Sequence, residues 1–412
     1  MQSVVDTYFT HVHNQPYSFF HEPSFRSKLA SQSLPRCLVL AVLASAVRFS
    51  NHEYYAGRTK EATEAYSRES WLAVLSDHLT VEENMNPTVV QTMTMLAVAD
   101  YTAGRVSSGW LKIGLAARIS QDLQMMKETG DEVSGIEKEE RRRAFWSTYL
   151  IDKLISCGRS RPLAILDDDC NVLLPCDEDA FQQPNETKKA PTLDQLRSWD
   201  SSLAERPSPF ALVILMASIL GTCTSYIHRR CNKERIPPWD PRSEFSSITS
   251  SLLLLESYSG VGIDSISESI ATESASNQRQ LGHRVFAQTL FHLCHCLLGH
   301  PFLVHVHLKP FGAKTPASFV TRMLQTGCDH AKYLLDFLQN ASDLGCLVES
   351  SFYPYCIAVA GGIHSLNSQF HQDRGDAEQA SDALDYFNRC LKALERLGDI
   401  WVHASNMVSL SS

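Results

Sequence analysis

Histidine and cysteine, the usual zinc ligands of proteins, gather in one stretch of the chain. Between His292 and His307 there are five histidines and two cysteines. On a helix, His292, His295 or Cys296, and His300 would share one face. Structural zinc sites seldom take all their ligands from a single helix, and the apolar residues between these positions favour a packed interior. The pattern therefore predicts a buried helix, and no metal ligand is assigned.

Three consecutive aspartates, Asp167 to Asp169, form the second group with chemical potential. Helical terpenoid synthases bind magnesium diphosphate through aspartates spaced along a helix face. Here the acids are adjacent and follow a connection containing Gly158 and Pro162, so they cannot line one such face. A solvated turn is predicted, and a terpenoid-type enzyme is kept only as a less favoured alternative.

Other catalytic patterns are missing from the sequence. There is no GxSxG motif, and Gly260-Val261-Gly262 lies in a serine-rich segment without the strand-turn-helix context of a phosphate-binding loop. The sequence therefore predicts no catalytic residue, no cofactor-binding residue and no enzyme activity.

Charged residues interrupt two apolar helices between Ser108 and Cys176. In the segment from Glu137 to Arg143, acidic residues come first and arginines follow. This order predicts a solvated helix start with Glu137–Arg141 and Glu139–Arg143 pairs. Arg118 and Asp152 each lie among apolar residues, and we hypothesise that both are paired in the core, with each other as one arrangement.

Two arginines follow the second of these helices. Arg159 and Arg161 have three candidate roles: capping the carbonyl groups of the preceding helix, binding the aspartates at 167–169, or facing an anionic ligand. The first two, structural roles are favoured.

Helical spacing of apolar residues positions all of these groups. The whole chain reads as one all-α domain, residues 1–412, of about a dozen helices with few or no strands. A helix from Trp110 carries two apolar stripes and is predicted to be central. Another, from Leu34 to Phe49, is apolar with Arg48 near its end. Flexible excursions are expected at about 177–209 and 259–277.

Composition limits the function further. The 412 residues are 44% hydrophobic and carry a net charge of −9, so nothing favours binding to phosphate backbones. The twelve cysteines form no CxxC pair and follow no signal peptide, so reduced thiols and no disulfide framework are expected. The longest apolar run, Phe210 to Cys223, is shorter than the ~20 residues of a membrane span, so no membrane contact is expected.

Several short patterns together resemble the fungal-specific transcription factor domain, the middle homology region of fungal zinc binuclear cluster regulators. Segments at Tyr8 to Phe25, Leu290 to Leu303 and Cys390 to Ala404 agree with its opening, late and closing parts. Within the stretch from Ser108 to Cys176, the residues that carry the resemblance are Gly114, Ala117, Arg118, Leu123, Glu140, Arg142, Arg143, Phe145, Trp146, Asp152 and the passage from Gly158 to Pro175.

The resemblance implies a nuclear, all-helical regulatory domain that controls transcription, for example of secondary-metabolite or nutrient-use genes. It also implies a homodimer or a partner regulator, and a pocket for a small-molecule effector. Such regulators contact DNA through six N-terminal cysteines that hold two zinc ions. Cys37 is the only cysteine in the first 150 residues, so zinc and DNA contact are expected only in a region absent from this chain. A truncated regulator and a stand-alone helical protein that inhibits a complete regulator both stay open.

Overall fold

The structure is a computed structural model, which describes residues 1–80, 85–130, 132–158, 161–182, 190–198, 207–228, 236–259 and 278–411. Within these ranges the chain forms seventeen α-helices and no β-strand. One isolated antiparallel bridge joins Leu173 to Thr192. The predicted all-α class is confirmed, and the count exceeds a dozen partly because two of the helices have only five residues.

The helices are numbered in chain order. They are α1 (Gln2–His11), α2 (Glu22–Ala30), α3 (Arg36–Ala46), α4 (Thr59–Val74), α5 (Pro87–Thr102), α6 (Val106–Asp122), α7 (Gly135–Ser156), α8 (Glu178–Gln182), α9 (Leu193–Arg197), α10 (Pro209–His228), α11 (Glu244–Ser259), α12 (Gln278–Gly299), α13 (Pro301–Leu308), α14 (Ala317–Asp343), α15 (Tyr353–Asp373), α16 (Ala377–Gly398) and α17 (Val402–Ser411).

Helix starts follow the capping chemistry of the sequence. The Asn86 side chain accepts a hydrogen bond from the Thr88 amide at 3.0 Å, and Pro87 takes the first helical position of α5. Ser134 caps α7 in the same way through the Glu137 amide. These side chains fix where the two helices begin.

Helix α7, rather than α6, is the central helix. It packs against α5, α6 and α10, and its residues from Arg143 to Ser156 are all buried. On α6, Leu111 is 61% exposed and Leu115 is 39% exposed, so one of its two apolar stripes is partly in solvent and the prediction of a central α6 is wrong. A Cβ on Gly109 would lie 2.9 Å from the Ala97 carbonyl oxygen, so α6 lies directly on the α5 backbone.

Helix α10 is a second core element. Among the described residues it is the one single helix long and apolar enough to cross a bilayer, and 78% of its most apolar 18 residues are buried inside the protein. The bent pair α12–α13 passes the same test only when it is joined across its 47° break. Helix α10 packs against α7 and α12, which is the environment of a core helix.

The two predicted excursions have different outcomes. In 177–209 the described parts form α8 and α9, and a capping box in which Thr192 and Gln195 bond each other's backbone begins α9. The other segment, 259–277, lies outside the described residues apart from Ser259, the last residue of α11. Its flexibility stays a prediction.

Candidate functional site

Arg143 on α7 lies in the core with 1% of its surface exposed. Its Nε donates to Glu139 at 2.9 Å, and its Nη1 donates to Glu178 at 2.6 Å and to the Ser18 hydroxyl at 2.7 Å. The Cys176 carbonyl accepts from Nη2. Burial by itself would lower the pKa of Arg143, but the two carboxylates raise it. Burial likewise opposes ionisation of Glu178, yet Arg143 holds the Glu178 pKa well below its usual range.

The predicted solvated start of α7 is therefore wrong for Arg143. The Glu139–Arg143 pair exists but is buried, because α8 brings Glu178 over the guanidinium. The predicted Glu137–Arg141 pair does not form among the described residues. Glu137 accepts from Ser134 instead, and Arg141 donates to a backbone carbonyl.

Asp167 is also less solvated than predicted. It accepts hydrogen bonds from Tyr149 at 2.7 Å and Ser218 at 2.6 Å, and its carboxylate lies 2.9 Å from the Lys153 amine. Burial would raise its pKa, but Lys153 first and these hydrogen bonds second lower it. Asp168 and Asp169 are exposed, as a solvated turn requires. A carboxylate already neutralised by lysine is poorly suited to bind magnesium, and no group of three or more metal-binding side chains occurs in the described part of the chain.

Arg118 and Asp152 do not pair with each other. Asp152 is 1% exposed and accepts from the backbone amides of Ala164 and Ile165, at 3.0 and 3.1 Å for its Oδ2. Burial raises its pKa. Arg118 is exposed and donates to Gln121 on its own helix. The prediction of a partnered charge in the core is therefore correct for Asp152 and wrong for Arg118. The partners of Asp152 are backbone amides of the loop after α7.

Of the two arginines after α7, Arg159 lies outside the described residues. Arg161 lies 5.4 Å from the centre of the Trp110 ring and donates to the Val106 carbonyl at the start of α6. The carbonyl it meets therefore belongs to α6 rather than to the preceding helix.

The histidines of α12 pack as predicted. His292 Nδ1 lies 2.9 Å from His330 Nδ1 on α14, and the rings of His295 and His330 stack at 3.9 Å. Burial first, and the neighbouring imidazoles second, lower the pKa of His292 to about 3, and burial lowers that of His330 to about 4. With their pKa values lowered, these histidines are uncharged near neutral pH; His292 is buried, and His295 and His330 are half-buried.

One cavity is lined by residues from both ends of the described chain. Its empty space, open mouth included, is about 540 Å³, and its enclosed part is narrow. The walls come from α1 and the loop after it, the end of α3, helix α5, the loop before α15 and Trp401. We call it the aromatic cavity, and its lining residues are Tyr8, His11, Val12, Gln15, Tyr17, Phe19, Ser45, Arg48, Phe49, Met95, Val98, Ala99, Glu349, Ser351 and Trp401.

Trp401 holds the cavity wall in place. Its indole Nε1 donates to the Glu349 carbonyl at 2.9 Å, and the Phe49 ring meets it edge-on at 5.9 Å. The His11 ring stacks on Phe49 at 5.1 Å, and His11 Nδ1 lies 2.9 Å from the Glu349 carboxylate. No local sequence pattern predicts this site, because its residues lie about 390 positions apart at the extremes, from Tyr8 to Trp401. The one local signal was a charged residue, Arg48, at the end of an apolar helix.

Comparison with known protein families identifies the family of this chain. The model of the "Fungal specific transcription factor domain" matches residues 5–253, which is more than half of the chain. The chain belongs to this family. The predicted resemblance is confirmed.

The names of similar proteins agree with this family. The "Zn(2)-C6 fungal-type transcription factor FTF1c" of Fusarium oxysporum f. sp. lycopersici is 24% identical over 388 residues, which cover 89% of this chain and 40% of the relative. The "Uncharacterized transcriptional regulatory protein C1327.01c" of Schizosaccharomyces pombe is 26% identical over 272 residues, covering 60% of this chain and 27% of the relative. The chain thus spans about 40% of the length of the first of these relatives. No solved structure matches the chain significantly.

The family residues of α7 fasten distant segments to the core. Glu140 accepts from the His21 amide, and the Trp146 indole donates to the Leu173 carbonyl. Arg143 adds Ser18 and Cys176 to the same helix. In this domain the most recognisable residues therefore serve structure. The aromatic cavity, in contrast, takes Glu349, Ser351 and Trp401 from beyond the matched residues.

Proposed function

We propose that this chain is the regulatory part of a nuclear transcription regulator and has no catalysis of its own. The observation that carries the proposal is the family match over residues 5–253. The relatives named as transcription factors or transcriptional regulatory proteins support it.

The geometry of the charged groups agrees with a regulatory role. A helical enzyme acting on diphosphates needs carboxylates that converge on an open polar cavity and bind metal. Here Asp152 is bound to backbone amides, Asp167 to Lys153, and Glu178 to Arg143. The aromatic cavity is lined mainly by apolar and aromatic side chains. This arrangement favours binding over catalysis.

DNA contact is assigned to a region outside these 412 residues, with any zinc bound there and none in this chain. The net charge of −9 supports this, since backbone binding requires excess lysine and arginine. The domain then acts on a DNA-binding region of the same polypeptide or of a partner, as a homodimer or with another regulator and away from membranes.

A reporter experiment tests the role. The 412-residue chain is fused to the zinc-cluster DNA-binding region of an unrelated regulator, and reporter transcription in a fungal host is compared with that of the DNA-binding region alone. We expect the fusion to change reporter output, and Arg118→Met, an exposed substitution, to leave that change intact. Equal output with and without the chain contradicts the proposal.

The inhibitory alternative is separated by a second arm of the same experiment. The unfused chain is coexpressed with the fusion. Reduced reporter output would show that the chain pairs with copies of itself and competes, whereas unchanged output favours action only in the same polypeptide.

A further inference from the structure

The aromatic cavity contains a positive charge that no acid in the described residues neutralises. Arg48 follows α3, and its guanidinium carbon lies 4.3 Å from the centre of the Trp401 ring. Its Nε is buried and meets no hydrogen-bond acceptor among the residues that the structure describes. Burial lowers the pKa of Arg48 to about 10, and no carboxylate offsets this effect. An arginine in such a place has unused capacity to bind an anion.

The acid of the same cavity is already bound elsewhere. The Glu349 carboxylate lies 2.9 Å from His11 Nδ1, and no ion pair joins it to Arg48. It still places a negative charge in the wall. A ligand that carries one negative charge is therefore favoured over one that carries two.

A second lining group is a buried donor without a partner. Tyr8 is 1% exposed, and its hydroxyl makes no hydrogen bond within the described part of the chain. The side-chain oxygen of Gln15 is likewise buried and unbonded. Leaving a buried polar group unsatisfied costs about 1–3 kcal/mol. A ligand that accepts from Tyr8 would recover part of this cost on binding.

We propose that the aromatic cavity binds a small organic monocarboxylate with one flat ring or a short apolar chain. The carboxylate accepts from Arg48 and Tyr8, and the apolar body packs against Phe49, Met95 and Trp401. The narrow interior limits the ligand to about this size. Binding itself is independent of the proposed function, whereas the role of this ligand as an effector of transcription rests on it.

Benzoate is the probe that matches this chemistry, and benzyl alcohol and phthalate are its uncharged and doubly charged counterparts. Titration calorimetry and thermal unfolding of the purified 412-residue chain measure binding directly, without a reporter. We expect benzoate to bind saturably at millimolar concentration or below and to raise Tm, and each counterpart to bind at least about tenfold more weakly. No saturable benzoate binding up to about 10 mM, or equal binding of benzyl alcohol, overturns the proposal.

Two variants locate the site, and one serves as the control. Arg48→Met keeps the aliphatic stem and is expected to abolish the benzoate-induced Tm shift, whereas Arg118→Met keeps it. Tyr8→Phe removes only the unpartnered hydroxyl, so it is expected to fold normally and to weaken benzoate about tenfold. Tyr8→Phe thus keeps the test decisive if Arg48→Met fails to fold. Wild-type affinity in a folded Arg48→Met or in Tyr8→Phe overturns the proposal.

A reporter that fails to respond, together with benzoate binding that depends on Arg48, would refute the proposed function and leave the site intact. A responsive reporter with no benzoate binding would refute the site alone.

Discussion

Arg143 and Arg48 both lie among apolar and aromatic side chains, but they differ in how many hydrogen-bond and ion-pair partners surround them. Two carboxylates, a hydroxyl and a carbonyl surround Arg143. Among the described residues, Arg48 meets the face of Trp401 and no carboxylate. A buried charge with a full set of partners stabilises the arrangement that supplies them, whereas a charge without partners is stabilised by whatever anion reaches it. Similar residue types therefore mark structure in one region and binding capacity in the other.

The two regions also differ in how they are built. The partners of Arg143 come from α7, from α8 and Cys176 just before it, and from the loop that contains Ser18, all within the residues that the family model matches. The aromatic cavity joins this first part to the loop before α15 and to Trp401. A change near either end of the chain can thus reach the cavity without touching the network around α7.

The largest effect is expected at the complete network. Arg143→Met removes the buried cation shared by Glu139 and Glu178 and leaves Glu139 only its longer contact with Arg142, so the free energy of unfolding should fall by about 3–5 kcal/mol. Urea denaturation measures this, with Arg118→Met as a control expected within about 0.5 kcal/mol of wild type. A loss below about 1 kcal/mol for Arg143→Met would remove the distinction between the two arginines.

A second network on α7 should behave in the same way with a smaller effect. Asp167→Asn removes the charge opposite Lys153, which is 2% exposed, and should cost about 2 kcal/mol in the free energy of unfolding. Asp168→Asn changes the adjacent, exposed aspartate and should cost almost nothing. Equal losses for the two variants in the same denaturation experiment would contradict the assignment of Asp167 to the core.

His292 and His330 add a third case to the two arginines, because these side chains can lose their charge in the protein interior. Burial places the pKa of His292 at about 3 and that of His330 at about 4, whereas the unfolded chain takes up these protons near pH 6.5. Unfolding then binds protons, so stability should be complete above about pH 6.5 and fall as the pH decreases towards 4.

The substitution His330→Gln removes one titrating group from this cluster. The slope of unfolding free energy against pH between about 6 and 4.5 should then be reduced by up to about 1.4 kcal/mol per pH unit. Identical slopes for wild type and His330→Gln would show that the histidine cluster does not form in solution.

The smallest effect on stability is expected at the cavity. Arg48→Met breaks no ion pair and loses only the contact with Trp401, so the free energy of unfolding should change by about 1 kcal/mol or less. A loss comparable to that of Arg143→Met would mean that Arg48 has a strong partner in solution, and the contrast between the two regions would then fail.

The sequence predicted the features that depend on local spacing. Apolar periodicity predicted the all-α class, and short motifs, several of them on α7, predicted the family. It predicted a Glu139–Arg143 pair from i,i+4 spacing but placed it in solvent, because the cover over Arg143 comes from Glu178 on another helix. Arg118 and Asp152 looked alike in their apolar surroundings, yet only Asp152 met backbone amides with which to pair.

By itself, the sequence of this chain determined helix type, helix starts and the identity of its family, since these follow from residues close together along the backbone. Only the tertiary structure decided which charges are neutralised and which are not. Arg48 and Arg143 differ because of partners that fold next to them from distant parts of the chain, and the aromatic cavity exists only once Trp401 has packed against Phe49. Burial and pairing are properties of the packed chain, so helical spacing cannot encode them.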